Sequence, residues 1–194
     1  MNEIVKKVTK NSSISHVVIS AKKNTTLFFE GDSCTKVGIV LSGKINIVSY
    51  LDDGKEIIYN VINKGQMFGN NLIFSSNPFY RGDVVAQEDS EIAFITKENL
   101  LKALSSDQEF LEAFLKEQSD FSKSLNFKIK LLTIDSAKER IKYYLTSNNN
   151  QTTYKSITKL AKELYLTRET LSRTLYRMQS NGEVLIANRN IRLK

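Results

Sequence analysis

Short apolar runs alternate with turn residues between residues 24 and 95. Runs rich in Val, Ile and Phe predict strands at 25–29, 38–41, 45–50, 56–62, 83–86 and 91–95. Seven of the eight glycines lie between Gly31 and Gly82, as expected for tight turns that need positive φ angles. Asp53-Gly54, between two β-branched runs, indicates a hairpin. Many short strands with regularly spaced turns favour a barrel or sandwich over a parallel sheet.

After residue 96 the spacing of apolar residues becomes helical. It predicts a short helix at 97–104 and a longer one, capped by Ser106 or Asp107, that runs to about residue 134. The heptad stripe of the longer helix consists of Leu111, Phe114, Gln118, Phe121, Leu125, Lys128 and Leu132. Such a narrow stripe favours a coiled-coil seam between two copies of the chain, because a helix of this length extends ~40 Å, beyond the face of one small barrel. The alternative is that the stripe packs on the strands of its own chain.

The last sixty residues combine three predicted helices with a hairpin. The helices span 137–145, 156–164 and 168–179. Thr167 caps the last helix, and a tight link at 165–166 joins it to the one before, which makes a helix-turn-helix pattern. Apolar runs at 184–186 and 191–193 flank a polar turn, so they predict a small β-hairpin, the wing of a winged helix.

The whole positive excess of the chain lies in this last part. The chain carries 28 Lys and Arg against 21 Asp and Glu, a net charge of +7. Residues 135–194 hold 12 of the basic and 5 of the acidic residues, whereas residues 1–134 hold 16 of each. A neutral body with a basic end indicates an anionic polymer as partner, most often nucleic acid. The alternative is an ordinary solvated basic surface.

The predicted helix at 168–179 carries the polar side chains that a reader of DNA needs. They are Arg168, Glu169, Ser172 and Arg173. Arg bonds both acceptors of guanine, and Glu accepts a hydrogen bond from the amino group of cytosine. An acid on a surface aimed at phosphates is unfavourable unless it reads a base, so Glu169 favours base readout over a solvated ion pair. Phosphate contacts are assigned to Lys155, Lys159, Thr167, Arg177, Arg189 and Arg192.

Composition argues against several classes of protein. Hydrophobic residues make up 41% of the chain, enough for packed cores, and no apolar run approaches the ~20 residues of a membrane-spanning helix. We therefore expect a cytoplasmic protein without membrane contact. One cysteine and one histidine cannot supply the about four ligands of a zinc finger or an iron–sulfur cluster, so no metal site is predicted. The chain has no Gly-rich phosphate loop and no convincing Ser/His/Asp set, so we assign no catalytic residues and expect no enzyme.

Motifs in both halves of the chain resemble those of one known family. The stretch from Leu160 through Thr167-Arg168-Glu169 to Ser172-Arg173 looks like the family's helix-turn-helix signature. Segments 29–32, 38–43 and 65–69 match, in order, the turn glycines of its cyclic-nucleotide-binding β-roll. The chain thus resembles, from Lys23 onward, the Crp/Fnr transcription regulators, and its Glu-x-x-Ser-Arg is the version found in the Fnr branch.

This resemblance implies an α+β fold in three parts. They are an effector-sensing β-roll (a double-stranded β-helix of jelly-roll type) at 1–106, a long dimerisation helix at 107–134, and a winged helix-turn-helix DNA-binding domain at 135–194. It also implies that Arg168, Glu169, Ser172 and Arg173 read bases, and that a homodimer binds double-stranded DNA at a TGA-N-TCA-like palindrome. RNA polymerase is a further expected partner, with activation and repression both open. The alternative is a cyclic-nucleotide-binding regulatory subunit whose basic module binds protein or RNA.

The predicted effector pocket departs from the family pattern. It consists of Gly69, Asn70, Asn71, Arg81 and Gly82. Nucleotide-binding members carry a Glu for the ribose where this chain has Asn70, and an Arg-Ser for the cyclic phosphate where it has Arg81-Gly82. The long helix has Leu125-Asn126 near where the cyclic-AMP receptor places a Thr-Ser pair against adenine. These differences disfavour cyclic AMP, and the effector, whether small molecule, redox or stress signal, stays unidentified.

Two other sensor chemistries of the family rest on single residues here. An Fnr-type iron–sulfur cluster needs four cysteines, and this chain has one. Haem stays open as an alternative, with His16 or Cys34 as axial ligand. Cys34 would act as a redox-sensitive thiol only if its pKa were depressed.

Overall fold

The structure, a computed structural model, describes residues 3–10 and 14–194, which divide into two units, Met1–Ser119 and Asp120–Lys194. Residues 1, 2 and 11–13 of the predicted sensor domain lie outside the described residues. The long helix α3 (Gln108–Thr133) contributes to both units. The three-part functional division therefore stays a prediction.

Two four-stranded antiparallel sheets form the first unit, a double-stranded β-helix. Its strands are β1 (Val17–Ala21), β2 (Thr26–Phe28), β3 (Lys36–Ser42), β4 (Lys44–Tyr50), β5 (Glu56–Asn63), β6 (Met67–Phe68), β7 (Asp83–Ala86) and β8 (Ser90–Thr96). One sheet has the order β1-β8-β3-β6 and the other β2-β7-β4-β5. Strands that are distant in sequence are thus neighbours in both sheets, and the predicted α+β class with an N-terminal roll is confirmed.

The six predicted strands are confirmed, and two further strands are present. Neither β1 nor β6 was predicted. β1 pairs only with β8 at a sheet edge, and Val17 and Val18 are exposed, so its sequence lacks the alternation of a half-buried strand. β6 has two residues, too few for any period, and exists because Met67 and Phe68 pair with β3.

Two shorter helices also belong to the first unit. α1 (Glu3–Lys10), which was not predicted, adds Ile4 and Val8 to the core. Lys7 Nζ lies 2.9 Å from Asp107 Oδ1 and ties α1 to the start of α3. α2 (Lys97–Ser106) and α3 match the predicted helices, and Asp107 caps α3 because its Oδ1 accepts a hydrogen bond from Phe110 N–H at 2.9 Å.

The heptad stripe of α3 is divided between the core and the surface. Phe114 is buried within its own chain, with its ring centroid 6.3 Å from that of Phe74. We therefore reassign Phe114 from the predicted dimer seam to the core of the roll, because its side chain offers almost no surface to a second copy. Lys128 is exposed, and the apolar side chain beside it is Ile129. The exposed apolar side chains of α3 are Leu115, Phe121, Leu125, Ile129 and Leu132.

The second unit contains three helices and a small sheet. They are α4 (Ala137–Ser147), β9 (Gln151–Thr153), α5 (Ile157–Glu163), α6 (Arg168–Ser180), β10 (Val184–Ala187) and β11 (Asn190–Leu193). The predicted helices and hairpin are confirmed, and β9, which was not predicted, pairs with β11. Leu131 from α3 joins the core of this unit together with side chains from α4, α5, α6 and the hairpin. Within the described residues no helix is long and apolar enough to cross a membrane.

Candidate functional site

One buried face and an N-terminal cap fix the position of helix α6. Leu171, Leu175 and Met178, at helical spacing, are buried in the core of the second unit. The hydroxyl of Thr167 accepts a hydrogen bond from Thr170 N–H at 3.1 Å and begins the helix. Because one face is buried, the remaining side chains of α6 point away from the core.

The four predicted base readers lie together on this outward face. Arg168, Glu169, Ser172 and Arg173 are all exposed. Among the described residues, none of the four side chains forms a hydrogen bond or a salt bridge with another part of the chain. The surface therefore combines two guanidinium groups, a carboxylate and a hydroxyl whose bonding capacity is free for another molecule.

Tyr176 extends this surface and was missed at the sequence level. It is 73% exposed, the most exposed large apolar or aromatic side chain of the described residues. Its spacing from Arg173 and Glu169, three and seven positions, places it on the same helical face. That spacing was the available signal. A phenol at this position can donate a hydrogen bond to a phosphate or stack on a sugar.

The turn between α5 and α6 is short and is closed by a backbone hydrogen bond. Leu160 and Ala161 bury the first helix of the pair against the core, and Leu166 N–H donates a hydrogen bond to the Ala161 carbonyl at 2.9 Å. Tyr165 adopts a φ of 52°, in the left-handed region. The small side chain of Ala161 suits a helix pair that packs this closely.

The predicted phosphate contacts surround the base readers. Five of them are exposed basic residues: Lys155, Lys159, Arg177, Arg189 and Arg192. Arg189 sits at the tip of the wing, where its φ of 58° follows the φ of 48° at Asn188, and its Nη1 donates to the Lys155 carbonyl at 3.3 Å. The sixth, Thr167, has its hydroxyl committed to the helix cap.

An ion-pair cluster fixes the wing to α4. The Glu183 carboxylate, just before β10, accepts from Lys138 Nζ at 2.8 Å and from Lys142 Nζ at 3.2 Å. The hydrogen bond from Lys138 is the main reason that the pKa of Glu183 falls from its usual 4.5 to about 2. Acidic charge is thereby neutralised on a unit whose exposed surface is basic.

The predicted effector residues differ in their exposure to solvent. Gly69 and Gly82 are buried, Asn70 is half-buried, and Asn71 and Arg81 are exposed. The Gly69 carbonyl accepts hydrogen bonds from the amides of Leu72 and Ile73, which forms a helical turn directly after it. Arg81 already interacts with other groups of the chain.

Aromatic side chains fill the interior beside these residues. Phe28 stacks on Tyr80 with ring centroids 4.6 Å apart, and its ring meets the edges of Phe68 and Phe94 at 6.4 and 5.7 Å. Phe68, Tyr80 and Phe94 are almost completely buried. This packing is typical of a close-packed apolar core.

The two single residues considered for redox or haem chemistry have ordinary structural contacts. Cys34 is buried, and burial raises the pKa of its thiol, which disfavours the reactive thiolate. His16 donates through Nδ1 to the Ile14 carbonyl at 2.8 Å. Among the described residues, no three His, Cys, Asp or Glu side chains are grouped so that they could hold a metal ion.

Comparison with known proteins finds similarity to regulatory proteins. A family model described as a cyclic nucleotide-binding domain matches residues 18–107. Over 117 residues, 60% of this chain, the sequence is 28% identical to the anaerobic regulatory protein of Bacillus subtilis, and the match spans about half (49%) of that relative's length. A transcriptional regulator from Thermotoga maritima is 31% identical, with a TM-score of 0.59, over 65% of this chain and 97% of its own. A mutant of CooA from Carboxydothermus hydrogenoformans shares the fold at 19% identity, with a TM-score of 0.62, over 97% of this chain and 90% of its own.

Proposed function

This chain belongs to the Crp/Fnr family of transcription regulators, and we propose that it acts as a homodimer that binds a palindromic DNA site. Two copies would associate along the exposed stripe of α3 and would place their two α6 helices in successive major grooves, about one helical turn apart. The proposed half-sites contain TGA, in a TGA-N-TCA-like arrangement. The role is regulatory rather than catalytic.

The outward face of α6 is the observation that carries this proposal. Its charged side chains are exposed and have no partner among the described residues, while the opposite face is buried. An unpaired Glu169 between arginines is costly beside a DNA backbone unless it accepts a hydrogen bond from a base. We assign Arg168, Glu169, Ser172 and Arg173 to base readout.

The wing and the flanks of α6 would hold the DNA backbone. Lys155, Lys159, Arg177, Arg189 and Arg192 are exposed on the unit that carries the whole positive excess of the chain. We assign these five residues and Tyr176 to phosphate and sugar contacts, and Thr167 to the cap of α6, because its hydroxyl is already bonded to Thr170. Such contacts position the helix without reading sequence, and each basic one adds to the salt dependence of binding.

Matched substitutions separate base readout from backbone contact. Arg173→Ala should weaken binding to the palindrome by about 1–3 kcal/mol and relax the choice of base at one guanine. Arg177→Ala, one turn later on the same helix, should weaken binding about equally on all sequences and lower the slope of log K against log salt by about 1. Fluorescence anisotropy on duplexes that carry every single-base change measures both. Equal losses on all sequences for Arg173→Ala would refute base readout by that residue.

We propose that a signal other than a cyclic nucleotide controls the β-roll. Asn70 lacks the carboxylate expected for a ribose, and Phe28, Phe68 and Phe94 fill the interior with apolar side chains. These features disfavour a cyclic nucleotide as the signal. Native mass spectrometry of the purified protein tests for a retained small molecule or haem, and reports the mass of the dimer in the same spectrum.

RNA polymerase is the proposed protein partner. Transcription regulators of this family act at promoters, and whether the bound protein activates or represses depends on where its site lies relative to the polymerase. Transcription in vitro from a promoter with the palindrome placed upstream, and then over the start, compares the two roles directly.

A further inference from the structure

Arg140, in the first turn of α4, binds the ends of two other helices. Its Nε donates to the Ile134 carbonyl at 3.0 Å, and its Nη2 donates to the same oxygen. Its Nη1 donates to the carbonyls of Tyr165 at 2.9 Å and Leu164 at 3.3 Å. Ile134 directly follows α3, and Leu164 and Tyr165 directly follow α5.

The guanidinium of Arg140 is bonded by backbone carbonyls at helix ends and not by a carboxylate. No salt bridge among the described residues involves Arg140. The last carbonyls of a helix lack partners within the helix and carry partial negative charge, so a guanidinium that bonds two such ends is favourable. Only a planar group with several fixed donors reaches both ends at once, which lysine cannot do.

We call the hydrogen bonds of Arg140 to Ile134, Leu164 and Tyr165 the clamp. The clamp connects α3, the proposed dimer helix, to the turn before α6, the proposed recognition helix. At one end Arg140 bonds Ile134, the first residue of the link between α3 and α4, and at the other it bonds the turn that leads to Thr167, the cap of α6. The chain from Tyr165 to Thr167 is too short to absorb a displacement. The position of α6 relative to the C-terminal half of α3 therefore depends on Arg140.

We propose that Arg140 is a positioning residue that sets the separation of the two recognition helices, and thereby the half-site spacing that the dimer accepts. The inference rests on the proposed function, because spacing has meaning only for a dimer on a palindrome. In a dimer joined along α3, each copy places its own α6 relative to its own α3. A variable position of α6 in both copies therefore adds up in the distance between the two α6 helices. Loss of the clamp leaves each α6 folded but allows several distances between the two α6 helices of the dimer.

The experiment compares Arg140→Lys with the native protein on three duplexes. They are the palindrome, the palindrome with half-sites moved apart by about half a helical turn (~5 base pairs), and a duplex with one half-site. Lys162→Gln, an exposed lysine on α5, is the matched control. We expect Arg140→Lys to bind the palindrome at least about tenfold more weakly, to bind the single half-site within about twofold of the native protein, and to lose most of the native preference for the correct spacing.

Each other outcome has a distinct meaning. Equal losses on the palindrome and the single half-site, or no loss on either, would overturn the role of Arg140 in spacing. If Arg140→Lys fails to fold, as judged by circular dichroism, Arg140→Gln takes its place, and failure of both would assign Arg140 to stability alone. If the native protein itself shows no preference for two half-sites over one, the proposed function fails, and this is visible before any variant is measured.

Discussion

The ring of Phe68 occupies the space that a side chain at Gly38 would need. The two residues are paired in the register of β3 and β6. A Cβ built on Gly38 would lie far inside van der Waals contact with three carbons of the Phe68 ring. Gly38 thus allows the two strands and the aromatic cluster of the roll to pack together.

Gly38→Ala should destabilise the β-roll. An added methyl group must displace the buried Phe68 ring, and overpacking of a close-packed core costs about 1–3 kcal/mol. Chemical denaturation followed by far-ultraviolet circular dichroism measures the change in the free energy of unfolding. Gly38→Ala with Phe68→Leu should recover part of the loss, and a double variant as unstable as the sum of the single variants would contradict this explanation.

Glu183 should make the stability of the second unit depend on acid pH. Its pKa is about 2 in the folded protein against an ordinary 4.5, because Lys138 and Lys142 bond the carboxylate. The unfolded chain therefore takes up this proton first, so the contribution is complete above about pH 4.5 and is lost as the pH falls toward 2. Thermal melting of the native protein and of Glu183→Gln should differ most near neutral pH and converge across that window. A difference that does not change with pH would exclude the ion pair as its cause.

Leu125→Glu should convert the proposed dimer into monomers. Leu125 is 47% exposed on the apolar stripe of α3. Full burial of a Leu side chain is worth about 1.5–3 kcal/mol, so covering the exposed half contributes about 1 kcal/mol in each copy, and a buried carboxylate there adds a further penalty. We expect the dissociation constant of the dimer to rise more than about tenfold, since 1.4 kcal/mol corresponds to a factor of ten. Sedimentation velocity measures the masses. Lys123→Glu, an exposed position on the other side of the same helix, is the control and should leave the dimer intact.

Thr167→Ala should weaken the recognition helix. The Thr167 hydroxyl satisfies the amide of Thr170, and loss of an N-cap costs about 1 kcal/mol. Thr167→Ser keeps the hydroxyl and should retain most of the stability, which denaturant titration of both variants can show. If serine and alanine lower the free energy of unfolding equally, the cap contributes little and the methyl group of Thr167 accounts for the loss.

Local signals predicted most elements of the fold correctly. The strands at β3, β4 and β5 have apolar runs bounded by glycine turns, and α5 and α6 have caps and one apolar face, so each can be recognised within its own segment. Two of the missed strands have no such signal. β1 and β9 are short strands that exist because a partner distant in sequence supplies their hydrogen bonds.

The residues of the candidate site also differ in whether a local signal predicts them. Arg168, Glu169 and Arg173 were predicted because helical spacing decides which residues share a face, and spacing is local. Arg140 was not predicted, because its function depends on two carbonyl groups, at Ile134 and Tyr165, that only folding brings to one guanidinium. Every residue has a backbone carbonyl, so the residue type does not indicate which carbonyl accepts a side-chain hydrogen bond.

The amino-acid sequence by itself determined the order of the elements, the placement of the positive charge and the identity of the helix that faces DNA in the proposed complex. These follow from periodicity, turn chemistry and charge, which act over a few residues at a time. Tertiary structure alone decided that Phe114 belongs to the roll and not to a dimer seam, and that aromatic rings fill the interior of the roll. Burial depends on which distant segments meet, and a heptad stripe looks the same whether its partner is the same chain or another copy.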